Sequence, residues 1–62
     1  MSYRIYKGTE LHAVCNHEMD AVSQAVQCYR HTTEPVTVME VALDRTERSY
    51  NWERAYKELC NQ

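Results

Sequence analysis

A chain of 62 residues that is 44 % hydrophobic and 26 % charged has the composition of one folded domain, or one protomer of an obligate oligomer, and not of a disordered tail. Its net charge is −2, with seven Lys and Arg scattered among nine carboxylates, so it has neither the basic stripe that binds a phosphate backbone nor the acidity of a strong DNA mimic. Nucleic acid is therefore disfavoured as a partner, and the single Gly excludes glycine-loop phosphate motifs.

Residues 3–7, Tyr-Arg-Ile-Tyr-Lys, alternate large and charged side chains rich in aromatic and β-branched types, which predicts a strand. Gly8-Thr9 follows, and Gly at the first loop position suits a two-residue type II′ hairpin. That register sets Lys7 opposite Glu10 and Tyr6 opposite Leu11, with residues 11–15 as the second strand. Asn16 is the expected N-cap of a helix carrying Glu18 and Asp20 in its first turn and Arg30 and His31 in its last. Met19, Val22, Ala25, Val26 and Tyr29 recur at three- and four-residue steps and define its expected apolar stripe.

Thr32-Thr33-Glu34-Pro35 ends this helix. Residues 36–43 then read as a strand that is apolar on both faces and hence central in its sheet. Asp44-Arg45-Thr46-Glu47 matches a helix-capping pattern, which places the start of a second helix there or one turn later. Trp52, Ala55, Tyr56 and Leu59 form its stripe, and Glu53 can pair with Lys57. A right-handed crossover through the first helix sets the third strand beside the first. The expected fold is α+β, ββαβα: one domain over 1–62, a three-stranded antiparallel sheet of order 2-1-3 and both helices on one face. The other face stays open.

Cys15, Cys28 and Cys60 are odd in number and lack a CxxC pair, as expected of free or buried thiols in a reducing compartment. Cys15, His17, Cys28 and His31 offer zinc-ligand chemistry, but His17 and Cys28 lie about 16 Å apart along one helix, too far to share an ion. We expect no metal or cofactor. Cys15 beside the helix N-terminus is a conceivable nucleophile, and His12 with His31 a conceivable acid–base pair. Each has a simpler structural role, and without an oxyanion hole or a pocket of enzyme size the chain is expected not to be an enzyme. No apolar run follows Met1 or approaches the length of a transmembrane helix, so a cytoplasmic location without membrane attachment is expected.

Five Tyr and one Trp with no Phe favour residues that sit between dry and wet surroundings. Tyr29, Trp52 and Tyr56 are read as core fillers. Tyr3, Tyr6 and Tyr50, with Arg45, Arg48 and Arg54, are the candidate partner-binding residues.

Tyr-Arg-Ile-Tyr-Lys, Leu-His-Ala-Val-Cys, Asp-Ala-Val-Ser-Gln-Ala-Val and Val-Thr-Val-Met-Glu-Val together resemble small uncharacterised bacteriophage and prophage accessory proteins over about two-thirds of the chain. The resemblance implies a small protein that binds and redirects a host protein, and it assigns no functional residue. The leading expectation is a protein–protein interaction module that forms a homodimer. The alternatives are a nucleic-acid-binding regulator using Arg4, Lys7, Arg45, Arg48 and Arg54, and a small Cys/His enzyme.

Overall fold

The computed structural model describes residues 1–61. In chain order the elements are β1 (Ser2–Lys7), β2 (Glu10–Cys15), α1 (Glu18–Arg30), β3 (Val36–Val41), β4 (Glu47–Tyr50) and α2 (Trp52–Cys60). The four strands form one antiparallel sheet of order β2-β1-β3-β4. The α+β class and the neighbours 2-1-3 are as expected, but the sheet has four strands and not three.

The hairpin has the expected register, with Lys7 opposite Glu10 and Tyr6 opposite Leu11. Gly8 adopts φ 63, as the first position of a type II′ turn requires, and its N–H donates to the Pro35 carbonyl at 2.8 Å. Further along, the pairing slips. Ile5 faces Ala13 while Tyr6 faces Leu11, so His12 is the extra residue of a β-bulge.

The fourth strand replaces the start expected for the second helix. Ala42 and Thr46 close a tight turn in which the Ala42 N–H donates to the Thr46 carbonyl at 2.9 Å and Arg45 takes φ 69. Asp44 Oδ1 accepts from the Thr46 N–H at 3.0 Å, so the residue expected to cap a helix instead stabilises a turn. Both uses satisfy a backbone N–H with the same side chain, which is why the capping pattern misleads here. The helix cap falls to Asn51, which accepts from the Arg54 N–H at 3.0 Å. On α2 the pair one turn apart is Arg54 with Glu58, at 3.3 Å, in place of Glu53 with Lys57.

The start of α1 also differs. Its N-cap is His17, with extended backbone and no side-chain cap bond, because the chain bends through Asn16 and His17 after β2. Ala21, Ala25 and Cys28 are buried along this helix, and Ala21 and Ala25 meet Tyr3, Ile5, Val38 and Trp52 in the core. The expected stripe holds at Val22 and Ala25, which are buried, and at Val26, which packs against the core, but Met19 and Tyr29 at its two ends are exposed. Small residues face the sheet because they let the helix axis approach it closely, which leaves the larger ones on the flank.

α1 lies across β1, β2 and β3, and α2 packs alongside α1. Trp52, at the start of α2, enters the core on the same side of the sheet and donates its indole N–H to the Val36 carbonyl at 3.0 Å. Among the described residues no helix is long and apolar enough to cross a membrane. Gly8→Ala forces a Cβ into left-handed backbone and against the Glu34 side chain at 3.4 Å. Urea denaturation should show a loss of about 1–2 kcal/mol.

Candidate functional site

The sheet has two unlike faces. Under the helices lie Tyr3, Ile5, Ala13, Cys15, Val36 and Val38, all buried or half-buried. Strand alternation and the observed register place Arg4 and Tyr6 of β1, Leu11 and Val14 of β2, Thr37, Met39 and Val41 of β3, and Glu47 and Ser49 of β4 on the other face. No element covers that face among the described residues. Leu11 and Val14 are 49 % and 57 % exposed there, and Tyr6, Met39 and Val41 are half-buried. The Arg4 guanidinium reaches past β3 to Glu47 at 3.1 Å, an ion pair open to solvent and hence of little worth to the isolated fold.

The bulge at His12 creates this patch. Leu11 and Val14 are three residues apart, and strict alternation would set them on opposite faces. The extra residue restores them to one face while Ala13 and Cys15 still point at α1.

The six residues expected to bind a partner do not gather at one surface. Tyr6 lies on the open face. Tyr3 is only 6 % exposed and belongs to the core, edge-on to Tyr50 with centroids 5.5 Å apart. Tyr50 is half-buried, and its hydroxyl donates to Glu18 Oε1 at 2.6 Å, tying β4 to the first turn of α1. Arg45 sits at the β3–β4 turn, Arg48 stands opposite Glu40 on the helix side of β4, and Arg54 pairs with Glu58 on α2. Of the basic residues read as a nucleic-acid surface, Arg4 and Arg48 lie on opposite faces of the sheet, so the set does not form one stripe.

The aromatic assignment is partly inverted. Trp52 is buried as expected, but Tyr29 is 62 % exposed with its ring tilted 5.7 Å from the indole, and Tyr56 is also exposed. These three rings, with Val26, Arg30 and Glu53, line a 310 Å³ cleft between the helices.

The four candidate zinc ligands divide between the two ends of α1. Cys15 and His17 stand at its start, Cys28 and His31 at its finish, and all three cysteines are free. No three His, Cys, Asp or Glu side chains converge as metal ligands among the described residues. Burial, then the Asp20 carboxylate, push the Cys15 thiol above its ordinary pKa, which opposes the thiolate a nucleophile needs.

Burial foremost, then the bond to Glu18, push the Tyr50 phenol above its ordinary pKa of 10.0, and burial raises Tyr3 as well. Folding therefore favours the protonated phenols. Their stabilisation is complete below pH 10 and is lost as the pH rises above it, when the unfolded chain ionises first. Tyr50→Phe should lower stability by about 1 kcal/mol at pH 7 and flatten the alkaline fall seen in urea titrations between pH 9 and 11, roughly the range that brackets the phenol's ordinary pKa. An equally steep fall in the variant would remove Tyr50 as a cause.

No family model, curated protein or solved structure matches the chain.

Proposed function

We propose that this chain is a small protein-interaction module that works as a homodimer, two copies packed through their open sheet faces. The observation that carries the reading is a sheet covered on one side only, whose other side gathers Tyr6, Leu11, Val14, Met39 and Val41 around a single ion pair. A second sheet is the natural cover, because two inner faces interdigitate at about 10 Å and bury both patches at once.

Surface area supports a second copy. The chain exposes 4740 Å², against about 4,200 Å² for a compact monomer of its mass. It is a slab of 31 × 29 × 15 Å, and its broad side matches the roughly 800 Å² that each partner gives to a standard interface. The sheet edges are poorer docking places. β4 is four residues long and carries Glu47 and Arg48, while β2 is interrupted by its bulge. The Arg4–Glu47 pair suits a two-fold contact, since each copy supplies both signs and no charge is left single on burial.

This layout turns both helical layers outward. A host protein, the second partner implied by the phage-type resemblance, would meet that layer, where Tyr29 lies exposed beside Trp52. The role is binding without catalysis, and it needs no cofactor. Val14→Glu puts a carboxylate within the proposed contact, on the outer strand β2, and leaves the core untouched. Sedimentation equilibrium should find a dimer for the native chain at micromolar concentration and a monomer for the variant. A native monomer at that concentration would remove the homodimer.

A further inference from the structure

We propose that the groove between α1 and α2 receives one amphipathic helix of a partner protein, seated as a third helix on this layer. The inference rests on the reading of the helical layer as the partner surface, and it is independent of the sheet-face dimer. The 310 Å³ cleft at Tyr29 and Trp52 does not end there. It shares Val26, Arg30 and Tyr56 with a neighbouring cleft of 360 Å³ that runs on to Met19 and Leu59. The two make one groove. From Met19 to Arg30 it follows α1 for about 16 Å, or roughly three turns. Among the described residues seven large apolar side chains are exposed, and Met19, Tyr29 and Tyr56 bring three of them to this groove. Tyr and Trp are also the residues that most often anchor a protein contact.

The walls decide what kind of segment fits. Both are helices with internally bonded backbones, so the groove has no strand edge to pair with. An extended segment laid there buries N–H and C=O groups without partners, which is costly in apolar surroundings. A helix bonds its own backbone and presents side chains alone. Three turns of groove match anchors at i, i+4, i+7 and i+11 on one face of such a helix.

A second copy does not supply that helix. Its α1 packs on the sheet and its α2 on α1, and the apolar side chains that the two helices leave exposed are those of the groove itself. Two grooves do not fill each other. Charge then defines one end of the contact. Arg30 and Glu53 line the cleft beside Tyr29 and Trp52, and among the described residues neither joins an ion pair. Glu34 shares a separate cleft with Arg30 and makes no ion pair with it, while Arg54 is taken by Glu58. Beyond Arg30 no charged residue lines the groove toward Met19 and Leu59. The complementary helix therefore carries an acidic and a basic side chain at one end of an otherwise apolar stripe.

The test titrates the ¹⁵N-labelled chain with an alanine-based peptide of about 16 residues, with Leu at i, i+4, i+7 and i+11 and a Glu and a Lys at one end of that stripe. A second peptide has the same composition with its Leu at alternate positions, the period of a strand. The first should bind saturably, gain helix by circular dichroism, and shift amides within residues 19–30 and 52–60. The alternating peptide should bind at least about tenfold more weakly. Met19→Glu and Tyr56→Ala should each weaken the helical peptide about tenfold, as truncation of an anchor does, with Val14→Glu on the open sheet unchanged. The unliganded spectrum of each variant reports its fold. Arg30→Glu should weaken the peptide, and exchanging the peptide's Glu for Lys should restore it. An alternating peptide that binds the groove equally well leaves the layer a partner surface and removes the helix. Shifts centred on Leu11, Val14 and Met39, or none that saturate at millimolar peptide, also overturn the proposal. So do groove shifts that appear on concentrating the chain alone, which identify a second copy as the occupant.

Discussion

The pairing of Ile5 with Val38 across β1 and β3 is the contact on which the other elements depend. These are the largest side chains that the fold encloses completely, and Ala21, Ala25 and Trp52 close over them from the helical layer. So small a core gives little margin: a domain of this size is stable by about 3–9 kcal/mol on per-residue averages. The remaining order comes from polar ties between elements. Tyr50 holds β4 to α1 through Glu18, and Trp52 holds α2 to the sheet through the Val36 carbonyl. Both ties lie on the covered side. Among the described residues only the solvated Arg4–Glu47 pair crosses the open side, so the isolated chain protects one sheet face and leaves the other uncovered.

Elements that depend on near neighbours were legible before the structure. Gly8-Thr9 announces its hairpin, the acidic start and basic end bound α1, and residues 36–43 read as a central strand because both faces are apolar, although β3 ends at Val41 and Leu43 is exposed. β4 was not legible. Glu-Arg-Ser-Tyr has no apolar alternation, and it is held as a strand by its ladder to β3 and by the Tyr50 hydroxyl, contacts made at long range. Asp44 adds a false signal, because an acidic side chain serves a turn and a helix cap by the same hydrogen bond.

The candidate site was less legible than the fold for a related reason. Tyr3 and Tyr50 looked available by composition, yet they meet across β3 inside the covered layer, and Tyr29 lies outside although it follows the helical period. A period gives a stripe but not where its cover ends: Val22 and Ala25 are buried, and Met19 and Tyr29 at its two ends are exposed. The patch of Leu11 and Val14 depends on one inserted residue in β2. A bulge has no reliable sequence signature, so one of the most informative surface features follows from a single irregularity.

Covering of the open sheet by a second copy is the central claim, and isotope-filtered nuclear Overhauser spectroscopy on an equal mixture of labelled and unlabelled chains tests it most directly. The account predicts intermolecular cross-peaks among the methyl groups of Leu11, Val14, Met39 and Val41. Cross-peaks that connect only the helical layers, or none at all at millimolar concentration, would contradict it.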